Sequence, residues 1–147
     1  MNADTDKSQI NKIYFYQLMV VFSVVFALVG FSYNVWRMEV TEENDNIRTA
    51  SFEILLELAS LEQLIYAAHY DKDKVNGSPR KGWVIVGLVN DLSVLAGDSI
   101  QADASTLKLV WSNQWEHINN DVKAVKQIIE AIDNLRSEIK QVLIKLE

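Results

Sequence analysis

The sequence predicts an all-α protein: one N-terminal transmembrane helix continuing into an antiparallel up-down-up-down four-helix bundle with two long and two short helices. Two observations predict it. From Ile13 to Trp36 the chain carries no charge. Beyond that stretch, apolar residues recur at steps of three and four in four separate segments, which is the period of a helix with one buried face. Strand-like alternation has no support. With 147 residues in all, the chain has room for one compact domain of about 100 residues plus an anchor.

The first segment, IYFYQLMVVFSVVFALVGFSYNVW, has Gln17, Asn34 and a few hydroxyls as its polar interruptions. About 20 apolar residues suffice to cross a hydrocarbon core of roughly 30 Å. Tyr14 and Tyr16 at one end, with Tyr33 and Trp36 at the other, suit the aromatic belts at the two membrane interfaces. The layout expected is therefore a cytoplasmic tail over 1–12, an anchor over 13–36 and a helical domain over 37–147. Gly30-Phe31-Ser32 offers a small-x-small pattern that a signal peptidase could cut. Signal cores, however, run about 7 to 15 residues behind a basic head. This one is longer and its leader carries Asp4 and Asp6, so a retained signal-anchor is preferred.

Lys7 and Lys12 on one side of the anchor are matched by Arg37 and Arg48 on the other. A short leader with two lysines and a free amine is expected to stay in the cytoplasm, with Glu39, Glu42, Glu43 and Asp45 beyond the bilayer. For a bacterial inner membrane this places the domain in the periplasm.

From Ile47 the seam runs Ile47, Ser51, Ile54, Leu58, Leu61, Ile65, Ala68, and neither proline nor glycine separates it from the anchor. One long helix is expected, ending near Tyr70. Residues 71–78 are turn-rich, and Ser78-Pro79 supplies an N-cap with proline at the first helical position. The second helix is expected to bury Ile85, Leu88, Val89, Leu92 and Leu95 and to close at Gly97-Asp98. A third starts near Ala102 with Ala104, Leu107, Trp111, Trp115 and Ile118 in register, and breaks at Asn119-Asn120. The fourth has the cleanest heptad: Val125, Ile128, Ile132, Leu135, Ile139, Val142 and Leu146, broadened by Ile129 and Leu143.

The net charge of -6 falls beyond the anchor, since Asp4 and Asp6 offset Lys7 and Lys12. An acidic body without a basic stripe disfavours nucleic acid. The absence of cysteine removes disulfides and thiolate chemistry. His69 and His117, the two histidines, lack a second ligand at metal spacing, and the loop from Asp71 misses the calcium pattern at Val75, Gly77 and Gly82. No nucleophile elbow, phosphate loop or dinucleotide fingerprint is present. An enzyme is not expected, nor a cofactor or metal.

Two candidate surfaces stand out. Tyr66, His69 and Tyr70 share one side of a helix, and Arg80 and Trp83 follow across the turn; together they would suit a small anion or carboxylate. Arg80 in a first turn opposes the helix dipole. A capped helix end with a partly buried histidine is the plainer reading. Trp111 and Trp115 are read as packing rather than as a stacking platform. Helix lengths give the second surface. At about 1.5 Å per residue the first and last helices reach near 40 Å and the middle pair about 25 to 30 Å. The long pair would then form a membrane-proximal stalk whose seam, Ile47, Ile54, Ile139 and Val142, has wet flanks that invite dimerisation or docking. Within the anchor, Ser23 and Ala27 make one small-xxx-small step, a hint of helix pairing.

The layout is similar to the four-helix ligand-sensing ectodomains of bacterial transmembrane receptors, in architecture alone and without a shared motif. It departs from them in ending its last helix at Glu147 with neither a second span nor an output domain, which argues against direct signalling. The function expected is a non-catalytic, membrane-anchored interaction module, an adaptor or assembly component whose partner is another protein or a second copy. The alternative is an extracytoplasmic small-molecule sensor using the cluster from Tyr66 to Trp83.

Overall fold

The computed structural model describes the backbone of residues 3–146 and the side-chain surroundings of residues 13–146. Lys7 and Lys12, on which the orientation argument rests, and Glu147 have side chains outside the described residues. Among the described residues there are four helices: α1 Ala3–His69, α2 Pro79–Ala96, α3 Asp98–Gln114 and α4 Val122–Lys145. Among the described residues there is no strand. The chain divides into two units between Glu42 and Glu43.

In the first unit every described side chain from Ile13 onward is exposed, and α1 here is long and apolar enough to cross a membrane by length and composition. α1 continues unbroken into the second unit, as the lack of helix breakers between Phe31 and Asn76 predicts.

The second unit holds a single hydrophobic core to which all four helices contribute. α1 supplies Ile54, Leu58, Leu61 and Ile65, all fully buried. α4 supplies Ile128, Ile132, Leu135 and Ile139, its predicted stripe, while Val142 and Leu143 are partly covered. α4 also has a working cap: the Asp121 carboxylate accepts from the Lys123 backbone N–H at 2.8 Å, satisfying one of the orphan donors of the first turn.

The middle pair departs from expectation in three places. α2 buries Gly82, Val86, Val89, Ser93 and Ala96, so its contact face is rotated away from the predicted one. Val89 is shared, Ile85 and Leu92 are partly covered, and Leu88 and Leu95 are exposed. The reason lies at Gly82: a Cβ there would stand 2.2 Å from the Trp111 ring. The fully buried indole is laid against bare backbone, and small residues along that face let α2 approach closely. Second, α3 begins at Asp98 rather than near Ala102. Gly97 alone joins α2 to α3, with φ 115°, a conformation that side chains resist. Third, α3 ends at Gln114, and Trp115 to Asn120 form turns; Ile118 is still fully buried, plugging the core from a turn rather than from a helix. Ser78 precedes Pro79 as predicted, but its hydroxyl makes no capping bond.

Candidate functional site

Tyr66, His69 and Tyr70 do come together at the end of α1. The Tyr66 and Tyr70 rings lie 5.8 Å apart, and His69 meets Tyr70 edge-on at 4.8 Å. His69 is nearly buried, and its Nδ1 lies 2.7 Å from the Ile118 carbonyl oxygen. A carbonyl only accepts, so Nδ1 carries the proton and donates. The histidine thus fastens the α1 end to the turn before α4, and Lys72 Nζ donates to the Asn119 carbonyl beside it.

Of the other two members of the predicted cluster, Trp83 packs among tryptophans and Arg80 faces solvent. Trp83 stacks edge-on with Trp111 at 6.5 Å and Trp115 at 6.4 Å, forming an aromatic trio between α2 and the end of α3. Arg80 is exposed, and among the described residues it makes neither an ion pair nor a side-chain hydrogen bond. The turn between α1 and α2 is shaped by Asp73, whose Oδ1 accepts from the backbone N–H groups of Val75 and Asn76 at 2.8 and 3.1 Å, and whose Oδ2 accepts from Asn76 Nδ2 at 2.7 Å. These bonds, the Asn76 backbone bond foremost, hold the Asp73 carboxyl below its ordinary range. Gly77 closes the turn because a Cβ there would meet the Ala68 backbone at 2.5 Å.

The predicted stalk residues divide between the core and its margin. Ile54 and Ile139 are fully buried, and Ile47 and Val142 are half-buried. The large apolar side chains of α1 beyond Glu42 that are more than half exposed, Phe52 and Leu56, lie outside this seam.

Three features were not foreseen from sequence. One is a polar network. Arg136 donates to Glu62 Oε2 at 2.8 Å and to Asp133 Oδ1 at 2.7 Å, and Tyr66 OH donates to Glu62 Oε1 at 2.9 Å. The Arg136 bond, ahead of the other causes, holds the Glu62 carboxyl below its ordinary range; the same Tyr66 bond pushes the phenol up. Glu62 and Arg136 are too far apart in sequence for spacing to link them. Another is a cleft of about 370 Å³ between α3 and α4, lined by Asp103, Thr106, Asn113, Gln127, Glu130 and Asn134 among others. It offers amides, a hydroxyl and carboxylates but no cation, so an anion has no counter-charge there. The third is an outer stripe on α1. Phe52, Leu56, Ala59, Gln63, Tyr66 and Tyr70 are all exposed, and here spacing alone could have found the signal.

Among the described residues no three His, Cys, Asp or Glu side chains converge as a metal-ligand set. Comparison with protein-family models, with curated proteins and with solved structures finds no match.

Proposed function

We propose that the chain is a membrane-anchored, non-catalytic interaction module: the segment from Ile13 to Trp36 spans the bilayer, and the unit from Glu43 onward presents a four-helix bundle to a protein partner. The observation that carries this is the uncovered run of α1, where Phe15, Leu18, Phe22, Phe26, Leu28 and Phe31 are all more than half exposed. So much contiguous apolar surface is far beyond what a soluble monomer leaves in water, and lipid is the medium that removes the cost.

The up-down-up-down order draws support from contacts at the helix ends. His69, at the end of α1, meets the turn before α4, and Trp83, near the start of α2, meets Trp111 and Trp115 at the end of α3. The short leader with Lys7 and Lys12 supports a cytoplasmic N-terminus and with it an extracytoplasmic, periplasmic domain. The sensor reading has less support, because Trp83 is engaged with Trp111 and Trp115, and His69 with the Ile118 carbonyl.

Alkaline extraction of membranes from expressing cells tests the anchor: the chain is expected to stay in the pellet, and its release intact or shortened by its first thirty-odd residues would refute the span. Protease added outside the sealed membrane is expected to digest the domain. Digestion limited to the first dozen residues would reverse the orientation.

A further inference from the structure

α1 carries two seams where folding needs one. The inner seam, through Ile54, Leu58, Leu61 and Ile65, is buried in the core. The outer seam runs Thr49, Phe52, Leu56, Ala59, Gln63, Tyr66, Tyr70, alternating steps of three and four without a slip, and every one of these residues is exposed. Phe52 is 54%, Leu56 64% and Tyr70 66% exposed. A strict heptad on the dry side of a helix is explained by its core; a second heptad on the wet side calls for another helix.

We infer that this outer seam pairs with the same seam of a second copy of the chain, as a parallel, in-register two-stranded coiled coil. Charge and register select that occupant. With Thr49, Leu56, Gln63 and Tyr70 at a, and Phe52, Ala59 and Tyr66 at d, Arg48 falls at g and Glu53 at the following e. In a parallel in-register pair, g of one helix meets the next e of the other. Arg48 then faces Glu53 of the second copy, twice by symmetry. Within its own chain Arg48 has only a long contact to Asp45, 3.9 Å, and both side chains are well exposed, so it is available at little cost.

Two further residues fit. Gln63 occupies a central layer, where a self-pair lets each amide donate to and accept from its copy, whereas a wholly apolar partner would leave it unsatisfied. Glu62, at g on the rim, meets the uncharged Ala67 at the next e of the second copy, and Arg136 and Tyr66 already hold both of its oxygens. Parallel direction rests on the proposed span, since two chains anchored in one membrane with the same orientation present α1 in the same sense.

The chain has no cysteine, so single substitutions report pairing directly in native membranes of cells expressing the full chain. Under mild oxidation Leu56→Cys and Gln63→Cys are expected to give disulfide-linked dimers, while Lys126→Cys and Gln141→Cys, exposed on α4, stay monomeric. Adding Arg48→Glu to Gln63→Cys is expected to lower the dimer yield about threefold to tenfold, the scale of one or two like-charge pairs. Adding Glu53→Arg as well should restore it. Equal yields at seam and α4 positions, or a failed charge-swap rescue, overturn the pairing. Absence of seam dimers in a chain that remains in the membrane pellet overturns it too and leaves the anchor standing. A soluble chain that still crosslinks at the seam removes the anchor and keeps the pairing.

Discussion

Glu62 is held from two directions, by Arg136 of α4 and by Tyr66 one turn along α1, and the stability it contributes depends on pH in a definite sense. Its carboxyl lies below the ordinary value of 4.5, chiefly because of the Arg136 bond. Between the lowered and ordinary values the unfolded chain binds the extra proton, so acid favours unfolding. The contribution is complete above 4.5 and is lost as pH falls through the lowered value. Arg136→Met keeps the side-chain bulk and removes the charge. It is expected to cost about 1 kcal/mol at neutral pH, the scale of a partly exposed pair, and to flatten the acid slope below about pH 5. Urea unfolding followed from neutral to acid pH measures both; an unchanged acid slope would show that the pair contributes nothing. At this scale the sequence was legible only in part. The spacing of Tyr66, His69 and Tyr70 put them on one side of a helix, and their rings do meet. The Ile118 carbonyl that His69 meets and the Arg136 that Glu62 meets could not be read, because they lie 49 and 74 residues away along the chain.

At the scale of the element, legibility followed the contrast between the two faces. Between Lys123 and Gln141, α4 has charged and polar residues at the positions off its apolar stripe, with apolar exceptions, Val122 and Ile144, at its ends, so one rotation buries it well, and its stripe is the one observed. α2 is apolar on nearly all sides: Val84, Leu88, Val94 and Leu95 are exposed although any of them could serve in a core. Side-chain size then decides the rotation, and the winning face is the small one, opened by Gly82 for the Trp111 ring. The two glycines of α2 make this testable. Ala is preferred over Gly in a helix by about 1 kcal/mol, and at Gly87 a Cβ meets nothing within 4 Å. Gly87→Ala is therefore expected to stabilise by up to that amount. At Gly82 the same methyl runs into a buried indole that has no room to retreat, and Gly82→Ala is expected to destabilise by about 1 to 3 kcal/mol as an overpacked site. Thermal unfolding of the full chain in detergent should move in opposite directions for the two variants. Equal stabilisation would mean that Trp111 is not seated on Gly82. The misplaced start of α3 has a related cause: a single residue at positive φ reverses the chain with no loop sequence to announce it.

For the whole molecule, the two units differ in what their apolar residues face. Beyond Glu42 the large apolar side chains of α1 divide between a buried seam and an exposed one; before it, all described ones are exposed. The proposed span over residues 13–36 holds thirteen Leu, Ile, Val and Phe residues. At about 0.3 to 0.6 kcal/mol each on the insertion scale, they favour the bilayer by roughly 4 to 8 kcal/mol. Val24 and Val25 sit at its middle. Placing aspartate at both costs about 5 to 7 kcal/mol on the same scale, enough to cancel the gain, and a carboxylate on so short a stem cannot reach the interface as lysine or arginine would. The double variant is expected to leave the carbonate-resistant pellet. Phe52→Asp provides the control, since it also charges an exposed apolar position of α1, but beyond Glu42. It should leave the chain in the pellet while weakening the outer seam. Were both variants retained, or both released, the apolar run before Glu42 would not be what holds the chain to the membrane.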